Sequence, residues 1–97
     1  MGAGSVRRYP FRNVVTPEVA LAVLERDRGC VAVTLGASPA DCRGRITLDH
    51  VRDQPGGYKP VSDERHLVSI CVAHHLENGW ATSHRPALRE YLRSVTA

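Results

Sequence analysis

The chain has 97 residues and a formal net charge of +3, with 13 Lys and Arg residues against 10 Asp and Glu residues. This length suits one small domain with a modest core, which often needs a metal ion or a disulfide for stability. No apolar run approaches the ~20 residues of a membrane-spanning helix, and the N-terminal MGAGSVRRYPFRN lacks the apolar segment of a secretory signal. We therefore expect no membrane association. The cations are arginines except for Lys59, a weak indication of nucleic-acid binding.

Residues 1–15 are polar, basic and glycine-containing, which predicts a flexible N-terminal arm before a single domain at 16–97. The segment TPEVALAVLERDRG then predicts a helix. Thr16 suits the N-cap, Pro17 the first turn and Gly29 the end. The apolar face of this helix is expected to contain Val19, Leu21, Val23 and Leu24.

Two short strands are predicted in the middle of the chain. VAVTLGASPADCRGR is rich in small and turn-forming residues, which indicates an irregular loop. ITLDHV alternates β-branched and polar residues and predicts a strand at 46–51. RDQPGGYKPVSDE is typical of a long loop, and RHLVSIC predicts the second strand.

Helices are predicted after the second strand. VAHHLENGWATSH has a helical pattern that Gly79 weakens. SHRPALREYLR predicts a final helix at about 84–94, with Ser83 as a candidate cap and Leu88, Tyr91 and Leu92 on its apolar face. We expect Trp80 also to lie in the core. The fold class is α+β, built on a strand–loop–strand–helix unit.

The three cysteines cannot all pair within one chain, so metal ligation is the better use for them. This favours a reducing, cytoplasmic location. Structural zinc takes four nitrogen or sulfur ligands. Cys71 and His74 have the spacing of two ligands on one turn, whereas eleven residues separate Cys30 from Cys42. We predict a zinc site at Cys30, Cys42, Cys71 and His74, the alternative being three small buried thiols.

A second metal site is predicted where the first strand ends. Asp49 and His50 lie there, and His75 lies on the helix after the second strand. A carboxylate and a neutral imidazole suit a divalent ion that keeps water ligands. A histidine beside such an ion can take a proton from an attacking water molecule. Because strand neighbours point to opposite faces, the strand must end or bulge for Asp49 and His50 to share one site.

The pattern LERDRGC…C…LDHV…GG…HLVSICVAHH resembles the HNH nuclease domain over roughly residues 21–78. The resemblance implies a ββα-metal (HNH, His-Me finger) fold, with a core at about 44–80, a zinc knuckle and flanking helices. It implies DNA hydrolysis with His50 as general base and with Mg²⁺, Mn²⁺ or Ni²⁺ at Asp49 and His75. His66 stands where the family has an asparagine that tethers the loop, and its two ring nitrogens can take that role.

Further residues are candidates for the same site. Asn78 lies three residues after His75, as an extra ligand or simply at the end of a helix. Cations near the site could bind phosphates or could be solvated charges: Arg45, Arg52, Lys59, Arg65 and Arg85. The segment GWATSHRPALREYLR resembles small HNH proteins of actinobacterial phages, which implies terminase or packaging partners and a bacterial host cytoplasm.

Two alternatives remain open from the sequence. The chain could be a zinc module that binds DNA or protein without cleaving, including a degenerate HNH domain inactive through His66. It could also use His75 rather than His74 on zinc. Successive helical side chains diverge by about 100°, so the two histidines are expected to serve different ions. With no evident second domain for reading DNA, low sequence specificity is expected.

Overall fold

The computed structural model describes residues 14–53 and 61–96. Its helices are α1 (Pro17–Asp27), α2 (Val31–Thr34), a 3-10 turn (Pro39–Asp41), a π-helical turn (Ala73–Glu77), α3 (Trp80–Ser83) and α4 (Arg85–Val95). Its strands are β1 (Ile46–His50) and β2 (Leu67–Cys71). The chain is therefore a small α+β domain. The predicted arm and Lys59 lie outside the described residues, except for residues 14 and 15.

The two strands form an antiparallel hairpin that carries several predicted site residues, with Asp49 and His50 at the end of β1 and Cys71 at the end of β2. Ile46 pairs with Cys71 at one end, and His50 pairs with Leu67 at the other. Every residue of β2 is buried, whereas β1 is only partly covered. The strand predictions are confirmed to within one residue for β1 and two for β2. Pairing runs regularly through both Asp49 and His50, so the strand end or bulge expected between these two residues is not found.

Helix α1 begins and ends as its sequence predicts, but its buried face is different. Thr16 caps the N-terminus through a hydrogen bond from the Val19 N–H, at 3.2 Å. Val23 is fully buried, but Leu21 and Leu24 are 57% and 41% exposed, so the predicted apolar face is wrong. The second buried residue is Asp27, one turn after Val23. A polar contact, rather than an apolar stripe, fixes this helix against the strands.

The Asp27 carboxylate joins three elements. It accepts hydrogen bonds from the backbone N–H of Ser69 in β2 (2.8 Å) and from the hydroxyl of Tyr91 in α4 (2.6 Å). Arg26 forms an ion pair with it at 2.7 Å and also donates to the Leu67 carbonyl. Because each oxygen of this buried carboxylate has a partner, its charge is compensated.

The segments on both sides of the hairpin are more structured than the sequence indicates. The loop predicted between Cys30 and Cys42 contains α2 and the 3-10 turn. The predicted helix after β2 is divided at Gly79, which has a φ of 75°. The first part is a π-helical turn, closed by the Asn78 N–H on the Ala73 carbonyl. The final helix is confirmed, although Ser83 bonds back to the Gly79 carbonyl instead of capping it.

The core lies between β2, α2 and α4. Its buried members are Val31, Ala32, Val51, Val68, Ile70, Ala81, Leu88 and Leu92. Trp80 and Tyr91 pack against this cluster as predicted. Within residues 14–53 and 61–96, no helix has both the length and the apolar character needed to cross a membrane.

Candidate metal centre

Three cysteines and one histidine converge at the Cys71 end of the hairpin. The ligand atoms of Cys30, Cys42, Cys71 and His74 all lie within 4.8 Å of one another. The His74 Nδ1 atom is 3.7, 3.6 and 3.1 Å from the sulfurs of Cys30, Cys42 and Cys71. A tetrahedral zinc ion places sulfur and nitrogen ligands roughly 3.5 Å apart. This Cys3His cluster can therefore hold a metal ion such as zinc.

Local structure explains how a wide sequence gap closes to form this cluster. Cys30 precedes α2 and Cys42 follows the 3-10 turn, so these turns fold the intervening segment back on itself. Gly44, with a φ of 78°, lies directly over Val72, and a Cβ at Gly44 would come within 2.9 Å of the Val72 Cβ. Only glycine fits this backbone conformation and this close approach. The contact joins the Cys42 segment to the turn that carries Cys71 and His74.

The thiols of the cluster differ in acidity. Burial would raise the pKa of Cys71, but hydrogen bonds from the backbone N–H groups of His74 and Arg43 outweigh it and lower that pKa to about 6. Burial, with hydrogen bonds to Cys71 and Cys30, raises the pKa of Cys42 to about 12. At neutral pH Cys71 is therefore mainly a thiolate and Cys42 a thiol, so metal binding must displace the Cys42 proton.

His75 faces away from the cluster and contacts β1. The Thr47 hydroxyl donates to the Ile70 carbonyl at 2.8 Å and lies 2.7 Å from His75 Nδ1. Since the single hydroxyl proton is used on Ile70, Nδ1 must be the donor to Thr47. In neutral His75 the Nε2 atom is then unprotonated. It lies 3.4 Å from Asp49 Oδ1.

Asp49 is buried and has a second partner, Arg85 at the start of α4. The Arg85 guanidinium contacts Oδ2 at 2.7 Å and Oδ1 at 3.4 Å. The sequence offers Arg85 as a phosphate contact or as a solvated charge, and the structure pairs it with the Asp49 carboxylate. Its closer contact to Oδ2 leaves Oδ1 on the side of His75.

The two remaining catalytic candidates lie at the other end of the hairpin. His50, the last residue of β1, places Nε2 2.8 Å from the Ser62 hydroxyl. His66 lies between two carboxylates, with Nδ1 2.6 Å from Asp63 and Nε2 3.0 Å from Asp53. Because Asp53 follows β1 and Asp63 precedes β2, His66 links the two sides of the long loop.

The other predicted site residues are dispersed. The Asn78 side chain accepts a hydrogen bond from the Trp80 N–H at 3.0 Å, at the start of α3, and its role as an extra ligand stays a prediction. Arg45 is exposed before β1. Arg52 and Arg65 line one cavity near His66.

Sequence reasoning missed Thr47, Ser62, and the aspartates beside His66. Strand periodicity could have identified Thr47, because residues two apart on a strand share a face and Thr47 lies two residues before Asp49. Ser62, Asp53 and Asp63 gave no comparable signal, since their partners depend on the path of a long loop.

The fold and the site define a small α+β domain with a Cys3His cluster that can hold zinc. No family model, no curated protein and no solved structure matches the chain.

Proposed function

We propose that this chain is a metal-dependent endonuclease that hydrolyses DNA phosphodiester bonds, with Asp49 and His75 holding the catalytic divalent ion. One observation carries the proposal. When His75 is neutral, its Nε2 atom and the Asp49 Oδ1 atom are both acceptors, and they lie 3.4 Å apart. Two ligands of one ion lie roughly 3.0–3.4 Å apart, depending on its geometry.

The hydrogen bonds around Asp49 and His75 are typical of residues that bind a metal ion. A metal-binding histidine usually donates its other ring N–H to a fixed partner, which sets the tautomer. Thr47 is that partner here. Arg85 orients the carboxylate through Oδ2. An ion held at Oδ1 and Nε2 would supply positive charge to the scissile phosphate and the departing oxygen.

His50 is the proposed general base. It follows Asp49 at the end of β1, and its ring is oriented by Ser62 at 2.8 Å. Its task would be to remove a proton from the attacking water molecule. By the HNH resemblance, the products would carry 5′-phosphate and 3′-hydroxyl ends. His66 has a positioning role, because its contacts with Asp53 and Asp63 hold the loop that carries Ser62.

The arrangement around the pair also supports a ββα-metal domain. A hairpin is followed by a turn whose consecutive histidines face two different sites. His74 is buried in the Cys3His cluster, and His75 faces Asp49. The cluster then has a structural role, and the open pair has the catalytic one.

Zinc-loaded protein should nick supercoiled plasmid DNA with added Mg²⁺, Mn²⁺ or Ni²⁺. EDTA should stop the reaction, and an excess of the divalent ion should restore it. His50→Ala should slow cleavage by about 10²–10⁴-fold, the usual contribution of a general base. Asp49→Asn should also abolish activity while the zinc content stays unchanged.

His84→Ala is the matched control, because the His84 side chain is exposed, stacks on the Trp80 ring and bonds to the Trp80 carbonyl. If His50→Ala cuts as fast as wild type, His50 is not the base. If wild-type protein shows no metal-dependent cleavage, the endonuclease proposal fails.

One observation favours a second candidate, a zinc module that binds DNA or protein without cleaving. The Arg85 guanidinium compensates the charge of the buried Asp49, as it would in a purely structural ion pair. Retarded migration of DNA without strand breaks, under every metal condition, would support this candidate. Partners among phage packaging proteins and low sequence specificity remain predictions for either function.

A further inference from the structure

Four arginines surround one cavity beyond the end of the hairpin. The cavity has a volume of about 410 Å³, within the roughly 300–1,000 Å³ of ordinary ligand clefts. Val51 and Leu92 are the buried apolar residues in its wall. The cationic residues are Arg52, Arg65, Arg89 and Arg93. Arginines from the segment after β1, from the segment before β2 and from α4 thus meet at a single concave surface.

These guanidinium groups have no carboxylate partner among residues 14–53 and 61–96. Arg26 and Arg85 differ, since each is paired with a buried aspartate. Among the described residues of the cavity wall, the only carboxylate is that of Asp53, which already faces His66 at 3.0 Å. The cavity is therefore strongly positive and suits an anionic ligand.

The row of arginines on α4 connects this cavity to the candidate catalytic pair. Arg85, Arg89 and Arg93 are spaced by four residues and share one helical face. The first contacts Asp49, and the other two line the cavity. Like charges one turn apart repel each other, so Arg89 and Arg93 cost the isolated helix stability. A bound anion would offset that repulsion.

We propose that Arg52, Arg65, Arg89 and Arg93 form a cleft that binds the phosphodiester backbone of DNA beside the catalytic pair. This inference rests on the proposed endonuclease function. One or two arginines would suffice for a free phosphate, whereas four arginines around an open cavity suit successive phosphates of a strand. The cavity begins at Val51, directly after His50, so the bound strand would lead to the proposed base.

The test is a binding titration that does not depend on cleavage. Fluorescence anisotropy of a short fluorescein-labelled duplex is followed with zinc-loaded protein, with no other divalent ion added, at several salt concentrations. Arg89→Gln with Arg93→Gln should weaken binding by at least about 10-fold. The slope of log affinity against log salt should fall by about 2, one for each lost phosphate contact.

The matched control is Arg28→Gln with Arg43→Gln. Both of these arginines are exposed, and neither lines the cavity, so the pair removes the same net charge. Its salt slope should equal that of wild type. Equal losses in the two double variants, or no loss in Arg89→Gln with Arg93→Gln, would overturn the cleft. Circular dichroism shows whether each variant is folded. Arg52→Gln with Arg65→Gln removes the two arginines on the opposite wall of the cavity and should weaken DNA binding as well.

Two outcomes separate this proposal from the endonuclease itself. Cleavage by wild type, with unchanged DNA binding in Arg89→Gln with Arg93→Gln, would refute the cleft alone. Binding that depends on these arginines, without cleavage in Mg²⁺, would support the cleft and refute the endonuclease. A third outcome would also refute the cleft. Inorganic phosphate alone would shift the NMR signals of Arg89 and Arg93, while the double variant would bind DNA as tightly as wild type. The site would then bind small anions rather than DNA.

Discussion

His74 and His75 are adjacent, yet they belong to two regions with different chemistry. His74 is 1% exposed and lies among three sulfurs, which together form a complete ligand set. His75 is half-buried and faces one carboxylate, that of Asp49. The comparison shows how one turn of chain can direct two adjacent histidines to different surroundings, a closed set of four ligand atoms and an open contact with one carboxylate. The π-helical geometry of that turn separates the two rings without an intervening residue.

The largest expected effect tests this division directly. His74→Ala should lose its zinc. Loss of a residue that hydrogen-bonds to a metal ligand reduces metal affinity by roughly 10- to 100-fold, and loss of a ligand itself should reduce it further. His75→Ala should keep about one zinc per chain. Zinc content by atomic absorption, with thermal unfolding of both variants, measures the difference. Equal zinc content in the two variants would contradict the assignment of His74 to the cluster.

A change at Asp27, where α1 contacts β2, should weaken both regions together, because β2 carries Cys71 and pairs with β1. Asp27→Asn removes the charge that Arg26 requires while it keeps the volume. We expect the free energy of unfolding, measured in urea, to fall by about 3 kcal/mol, the lower end of the range for a broken buried ion pair. Leu21→Ala on the exposed face of α1 is the control, with an expected change within about 0.5 kcal/mol. A similar small change for Asp27→Asn would mean that the network contributes little.

Cleavage at the proposed Asp49–His75 site should depend on the Thr47 hydroxyl, which accepts a hydrogen bond from His75 Nδ1. Thr47→Val replaces the hydroxyl with a methyl group, so Nδ1 loses its acceptor. Plasmid cleavage should fall by roughly 10-fold, as for loss of an outer ligand partner, with zinc content unchanged. Thr47→Ser keeps the hydroxyl and should retain most of the activity. The explanation is wrong if serine and valine have the same effect.

The smallest expected effect concerns Tyr91, which contacts neither region. Burial, with the neighbouring Asp27 carboxylate, raises its pKa to about 12. A raised pKa means that the neutral form stabilises the fold. This contribution is complete below the unfolded pKa of about 10 and is lost as the pH rises towards 12. Tyr91→Phe should cost about 1 kcal/mol at neutral pH and remove the highest step in a phenolate absorbance titration.

Local patterns predicted the elements well where the backbone signals were strong. Thr16 and Pro17 gave the start of α1, and the β-branched alternation gave β1. The face of α1 was wrong because Leu21 and Leu24 matched a helical period, whereas burial depends on where Asp27 finds Ser69 and Tyr91. Periodicity describes which residues share a face, but it cannot tell which face the rest of the chain covers.

The sequence by itself determined that Cys71 and His74 can share a turn and that His75 must diverge from His74, because helical spacing is local geometry. Only the tertiary structure decided that Cys30 and Cys42 reach the same point, since this depends on how α2, the 3-10 turn and Gly44 fold the loop. It also decided that Arg85 pairs with Asp49, and that Arg89 and Arg93 meet Arg52 and Arg65. Contacts between distant segments follow from packing and loop paths, on which residue spacing carries no information.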